Sequence, residues 1–419
     1  MSSDFLEAAA GIGRAITADA VWHDGGCSWM GAVVEPSDPS RPEYRPVGAL
    51  VYDGTAGIGL FLAQLFTRTG DGDVRRTALG ALRHALTRPG TGDGLFAGAL
   101  GVAWAAREAG ALLGEDELVA AGDEFTAAWA ERELRAAAET AGDAGAAARR
   151  GAAAAAGAGG PRRVPARRCP DVVLGAAGAL AALVAAGEVE AACVIGDGLL
   201  RDATVNRYGW AWRGASRRRD SFQCGAAHGA AGIAWALLEL FAATGDERFA
   251  DAARGAFAYE RSWLDVTSGT WPDLRLPSRR GAHTPGMVGT WCYGEAGIAL
   301  SRLRANELLG DGPHAQDARV ATSTTHDHVC TRLPFSIDDL SLCHGMAGAA
   351  DALIEAGDHT TAAALGEAAL ERFGGGDWPC GLLGTTPGLF RGTSGIGWLF
   401  LRLHDPSADS PLALPLQRR

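Results

Sequence analysis

The chain has 419 residues, 47 % of them hydrophobic and 21 % charged, with a formal net charge of -11, a balance that suits a large globular core and excludes disordered or fibrous classes. That acidity argues against general nucleic-acid affinity, which needs a basic surface. All 38 basic residues are arginine, so a phosphate-loop lysine, a Schiff-base lysine and a kinase-type lysine are ruled out.

The chain opens on Met1-Ser2-Ser3-Asp4-Phe5, which lacks the basic start and apolar core of an export signal. Apolar runs are broken by glycine every few residues, and none reads as a membrane span. The eight cysteines (Cys27, Cys169, Cys193, Cys224, Cys292, Cys330, Cys343 and Cys380) are scattered and not spaced as a disulfide framework. These features predict a reducing, cytoplasmic setting, where cysteine more often means metal binding or catalysis. Residues 1–47 read as an N-terminal segment that packs on a body formed by residues 48–419.

From residue 48 onward one pattern recurs. Seven times a Gly-x-x-Gly step leads into an apolar run rich in Ala, Leu and Trp: Gly54 and Gly57, Gly98 and Gly101, Gly175 and Gly178, Gly229 and Gly232, Gly294 and Gly297, Gly345 and Gly348, and Gly392 and Gly395. Successive starts lie about 45 to 75 residues apart, the period of a helical hairpin plus a loop. The runs keep helical periodicity, as in Ile58, Leu60, Phe61, Ala63 and Leu65. Between them the sequence predicts further helices, for example over 74–86, 116–137, 247–263 and 359–373. Alternating inner and outer helices imply an all-α fold, an α/α toroid with seven inner helices. Their glycine-led N-termini would gather at one rim, where backbones approach closely and free N–H groups face a central cavity.

The second interval is the longest and holds an Ala/Gly-rich stretch, residues 141–168, that ends in Arg162, Arg163, Arg167 and Arg168. With few large apolar residues it cannot bury itself and reads as an exposed, mobile insertion. It is either a basic docking loop for an acidic peptide or a solvated loop without a role.

The fifth and sixth frames carry soft ligands: Trp291-Cys292-Tyr293-Gly294 and Leu342-Cys343-His344-Gly345. A single Cys beside Gly is ordinarily a small core residue. The same context repeated makes Cys292, Cys343 and His344 candidates to share one zinc ion. Two thiolates and an imidazole leave a tetrahedral ion one vacant corner, as in catalytic sites. Two thiolates also neutralise the ion formally, so a thiolate arriving at that corner stays nucleophilic; the expected substrate brings its own cysteine. By contrast, His326-Asp327-His328 is read as loop, and Cys193, Cys224 and Cys380 as core or wall residues.

With these motifs in hand the chain resembles the lanthionine synthetase cyclases, the LanC-like proteins, and looks closest to the cyclase portion of class II synthetases. The resemblance rests on Tyr52-Asp53-Gly54-Thr55-Ala56-Gly57, the 171–178 stretch from Asp171 to Gly178, Ala227-His228-Gly229, Trp291-Cys292-Tyr293-Gly294, Cys343-His344-Gly345 and the 387–392 stretch from Pro387 to Gly392. It implies a toroid that binds one zinc through Cys292, Cys343 and His344 and closes thioether rings in dehydrated ribosomal peptides. His228 falls on the family's active-site histidine, Asp171 on its active-site acid, and Tyr293 on the residue after the first ligand. Some members carry an arginine four residues before the first Cys, where this chain has Val288, and class II relatives often have His where this chain has Tyr293. No dehydratase half precedes the toroid, so the expected partner is a separate dehydratase, unless the chain is part of a longer synthetase.

On this reading the thiol adds to the β-carbon of dehydroalanine or dehydrobutyrine, and His228 is the general acid for the α-carbon. Asp171 either fixes the imidazole tautomer or serves only as an N-terminal helix residue. Tyr293 either assists protonation or packs at the wall. Two other functions stay open: addition of a small thiol such as glutathione to dehydrated residues, and a non-catalytic peptide-binding scaffold. A glycosidase toroid, which needs two opposed carboxylates, ranks last.

Overall fold

A computed structural model describes residues 2–35, 38–153, 168–214, 222–276, 278–280, 287–310 and 312–413. The architecture is an all-α toroid of two concentric helical layers. The inner layer comprises α2 (Thr55–Thr69), α4 (Ala99–Leu113), α6 (Ala176–Ala186), α8 (Ala230–Thr244), α10 (Glu295–Leu309), α12 (Met346–Glu355) and α14 (Thr393–His404). Each packs on the next, and α14 closes the ring against α2. The outer layer comprises α3 (Gly72–Thr87), α5 (Asp116–Ala153), α7 (Val189–Asp202), α9 (Glu247–Arg261), α11 (Pro313–Arg332) and α13 (His359–Phe373), each paired with the inner helix before it. The N-terminal helix α1 (Ser2–Ala18) packs on α14 and gives it an outer neighbour.

The first glycine of every repeated step is the N-cap of an inner helix. The reason is steric. A Cβ on Gly345 would lie 2.4 Å from Ser341 N, and one on Gly348 only 2.0 Å from Leu342 O. Glycine therefore lets each loop fold back over the helix it starts. The inner helices are apolar on nearly every face, with ten of eleven α8 positions from Ala230 to Leu240 hydrophobic or glycine and all of them buried, as a helix enclosed by neighbours requires. Outer helices are amphipathic; α9 buries Phe249, Ala253, Ala256 and Phe257. Two buried arginines tie helices together: Arg302 of α10 joins the layers through Glu260 of α9 at 2.7 Å, and Arg402 of α14 binds Asp351 of the neighbouring inner helix α12 at 3.0 Å.

Several local expectations change. His326-Asp327-His328 is not loop but lies inside α11, whose periodicity is masked by a polar outward face. Helix α5 runs beyond 137 to Ala153, because its alanine-rich continuation has high helix propensity. The remainder of the 141–168 insertion, residues 154–167, lies outside the described residues. Arg168, its last arginine, is tied back to Glu133 by bonds of 2.6 and 3.0 Å. Three antiparallel strand pairs are present among the described residues: β1 (Val21–His23) with β2 (Gly26–Ser28), β3 (Met30–Glu35) with β4 (Asp38–Pro46), and β5 (Thr204–Asn206) with β6 (Gly209–Ala211). Among the described residues no helix is long and apolar enough to cross a membrane.

Candidate metal centre

The site is built on equivalent positions of the seven repeats. The residues two before each N-cap glycine are Tyr52, Phe96, Val173, Ala227, Cys292, Cys343 and Phe390. Backbone hydrogen bonds link them around the rim: Tyr52 N to Phe96 O (2.9 Å), Val173 N to Ala227 O (3.4 Å), Ala227 N to Cys292 O (3.1 Å), Cys343 N to Phe390 O (2.9 Å) and Phe390 N to Tyr52 O (2.8 Å). The rings of Phe96 and Phe390 from this set pack with that of Trp291, centroids 4.5 to 5.6 Å apart.

Cys292 and Cys343 occupy this position in adjacent repeats, which is why their side chains meet. Their Sγ atoms and a ring nitrogen of His344 all lie within 4.8 Å of one another, with Cys343 Sγ 3.9 Å from His344 Nε2. Ligand bonds of about 2.1 to 2.3 Å in a tetrahedron give ligand separations of about 3.4 to 3.8 Å, so a zinc ion fits with small side-chain adjustments. Both cysteines are only 1 % exposed, whereas His344 is open to solvent. Burial opposes ionisation of Cys292, but hydrogen bonds from Cys343 and His344 outweigh it and hold the pKa well below the ordinary thiol value. Burial and the neighbouring Cys292 push Cys343 up. Burial would lower His344, yet its contact with Cys292 raises it overall. These neighbours ease loss of the Cys292 proton, the direction that metal binding requires, and a cation would displace the protons that remain.

His228 and Tyr293 stand one residue before their N-cap glycines, in the fourth and fifth repeats. His228 Nδ1 is 2.8 Å from Asp171 Oδ2, and the rings of His228 and Tyr293 have centroids 5.5 Å apart. Asp171 is 1 % exposed; its other oxygen accepts from Leu174 N at 2.7 Å. A carboxylate fixed in this way sets the imidazole tautomer, leaving Nε2 for a ligand. Burial pushes the Tyr293 phenol above its ordinary range although Arg275 pulls the other way, so it remains a hydrogen-bond donor. Gly225, at φ +98°, lets its loop lie against Tyr293, where a Cβ would meet Tyr293 Cα at 2.6 Å.

The structure therefore brings Cys292, Cys343 and His344 together as one group and pairs His228 with Asp171 beside Tyr293. It also adds residues to which sequence reasoning gave no role. Tyr52 donates its hydroxyl to Cys343 Sγ at 2.8 Å. Asp53 pairs with Arg391 through Nε at 2.8 Å and through Nη2. Their signal was in the repeats: Asp53, Tyr293, His344 and Arg391 all precede an N-cap glycine. Arg275 carried no such signal. Its guanidinium lies 3.8 Å above the Tyr293 ring, held by Asp273 at 2.6 to 3.1 Å. It brings a cation to a wall where Val288, half-buried, offers none. Two buried carboxylates hold the loops: Glu260 accepts from Gly225 N (2.8 Å) and Ala231 N (3.0 Å), and Glu295 from Gly289 N (2.8 Å) and Trp271 N (3.1 Å). Cys224 and Cys380 are buried and Cys193 half-buried.

The fold has a solved counterpart. Nisin cyclase superposes with a TM-score of 0.60 over 86 % of this chain and 89 % of that chain, at 15 % sequence identity, a likeness of fold. A sugar epimerase from a ruminal bacterium matches over 98 % of this chain and 100 % of that one, at 11 % identity and a TM-score of 0.44, too low to carry an argument. No curated protein matches the sequence significantly. The sequence profile described as lanthionine synthetase C-like protein matches residues 45–415, and on that match the chain belongs to the lanthionine synthetase C-like family.

Proposed function

We propose that this chain is a zinc-dependent cyclase that adds peptide cysteine thiols to dehydroalanine or dehydrobutyrine, forming lanthionine or methyllanthionine thioether rings. The observation that carries the reading is the convergence of Cys292, Cys343 and His344 within 4.8 Å, on the same rim as the His228–Asp171 pair. A Zn²⁺ ion held by these three residues supplies the positive charge that lets a visiting thiol shed its proton at neutral pH.

The remaining chemistry falls to the chain's own side chains. The new bond joins the thiol sulfur to the β-carbon, and the α-carbon must then gain a proton. His228, with Nδ1 committed to Asp171, delivers it from Nε2. Asp171, 2.8 Å from Nδ1, fixes the ring plane and keeps Nε2 turned toward the substrate side. Tyr293, a phenol beside His228, donates to the carbonyl oxygen on which charge develops. Arg275, stacked over Tyr293, adds positive potential to the same wall.

The substrate is a ribosomal peptide whose Ser and Thr residues have already been dehydrated. Cysteine ligands kept reduced fit a cytoplasmic location. The test is incubation of the chain with such a peptide, followed by metal analysis, mass spectrometry and thiol counting. Ring closure leaves the mass unchanged and consumes one thiol per ring; addition of a small thiol raises the mass instead. Cys343→Ala loses both metal and ring closure, whereas His228→Gln keeps the metal and loses about 10²-fold or more in rate. A metal-stripped wild type that still closes rings at full rate refutes the proposal.

A further inference from the structure

The metal centre leaves one cluster of nucleophilic and titratable groups unused. On α11, His326 and Cys330 are four residues apart and share a helix face. Cys330 Sγ lies 3.5 Å from His326 Nε2, and His326 Nδ1 lies 2.8 Å from Asp358 Oδ2 and 3.1 Å from Thr361 Oγ1. Asp358 is itself fixed as the N-cap of α13, accepting from Thr361 N at 3.1 Å. Thiol, imidazole and carboxylate thus stand in the order that lets an imidazole take a thiol proton while the carboxylate holds its far nitrogen.

Exposure separates this thiol from the other seven. Cys330 is exposed, whereas Cys27, Cys224, Cys292, Cys343 and Cys380 are buried and Cys169 and Cys193 half-buried. A groove of about 440 Å³ between α10, α11 and the start of α13 is bordered by Asn306, Arg319, His326 and Asp358; Cys330 does not line it, and its approach is from open solvent. A buried structural cysteine needs neither a base nor an approach; this one has both.

We propose that Cys330 is a thiolation site, activated by His326 and Asp358, whose co-reactant is a low-molecular-weight disulfide R–S–S–R. Cys330 Sγ attacks one sulfur while its proton passes to His326 Nε2. The Cys330–S–S–R bond forms as the original S–S bond breaks, and the departing thiolate takes the proton back from the imidazolium and leaves as RSH. The disulfide is itself the oxidant, one R–S being reduced to RSH as Cys330 is oxidised, so no further oxidant is required, and a free thiol reverses the exchange.

The experiment uses the full chain and the aromatic disulfide 5,5′-dithiobis(2-nitrobenzoate) at pH 7, followed by stopped flow and peptide mass mapping, with glutathione as the reference thiol. The expected result is one fast equivalent per chain, mapped to Cys330, about tenfold or more faster than glutathione. Cys330→Ser abolishes the fast phase, and His326→Asn and Asp358→Ala each slow it. Dithiothreitol releases the bound nitrobenzoate and restores the free thiol, and the neutral probe iodoacetamide, which alkylates irreversibly, gives the same order of rates among the variants. The proposal is overturned if wild-type Cys330 reacts no faster than glutathione, or if His326→Asn, folded by circular dichroism, reacts as fast as the wild type. The comparison with glutathione needs no variant and decides the matter even if a substitution disturbs folding.

Discussion

Replacing Tyr52 by Phe isolates one atom of the metal centre. The hydroxyl donates to Cys343 Sγ at 2.8 Å, and the ring stacks on Phe390 with centroids 4.9 Å apart and planes 13° apart. Phenylalanine keeps the stacking and deletes only the donor. Burial, then the charges of Cys343, Asp53 and Cys292, push the phenol well above its ordinary range, so Tyr52 is a donor at every working pH. A hydrogen bond to a buried anion is worth about 1.5 to 3 kcal/mol, and loss of an outer partner of a metal ligand costs about 10- to 100-fold in affinity. The two figures agree, since each tenfold step is about 1.4 kcal/mol. Tyr52→Phe is therefore expected to weaken zinc binding about 10- to 100-fold, measured by competition with a chromophoric chelator at fixed pH, with little change in thermal midpoint of the metal-free chain. Affinity within twofold of wild type would refute the argument that Tyr52 supports the Cys343 thiolate.

Three further outcomes follow from particular contacts. Gly348→Ala drives a Cβ to within 2.0 Å of Leu342 O, a backbone atom next to Cys343; the thermal midpoint should fall steeply and zinc affinity with it, whereas Gly357→Ala, in open space at φ +85°, should cost only about 1 kcal/mol. Asp358→Ala removes the α13 N-cap and the partner of His326, a loss of about 1 kcal/mol at neutral pH after allowance for solvent screening. Burial opposes ionisation of Asp358, but its bonds to His326 and Thr361 hold the folded pKa below the ordinary 3.8; the stabilisation is thus present above that value and lost as pH falls through the lower folded one, so wild type and variant should converge in denaturant titrations below about pH 3.8. Burial pushes Cys27 and Cys380 up to about 12, so both should stay unlabelled by iodoacetamide at pH 8 until the chain is unfolded.

The repeated glycine step was legible because it obeys a local constraint. A loop that folds back over its helix excludes a Cβ, and the same exclusion recurs at Gly54, Gly98, Gly175, Gly229, Gly294, Gly345 and Gly392. Counting from those glycines also put Cys292 and Cys343 in the same slot of neighbouring repeats, which is why a shared metal could be read before any coordinates. The His326-Asp327-His328 stretch was misread as loop, since a helix whose outer face is polar gives little periodic signal and α11 is held by contacts with α10, α12 and α13.

By itself, then, the order of residues determined how many hairpins there are, where each inner helix begins and which sulfur and imidazole groups share a rim, since all three depend on sterics and periodicity within a few residues. Only the closed ring decided what meets across it. Tyr52 reaches Cys343 over a separation of 291 residues, Arg391 reaches Asp53 over 338, and Asp171 reaches His228 over 57. Arg275 finds the Tyr293 face through a loop anchored by the buried Glu295. Such partners are selected by α14 docking on α2 and by the packed rings of Phe96, Trp291 and Phe390, packing that exists only after the whole chain has come round.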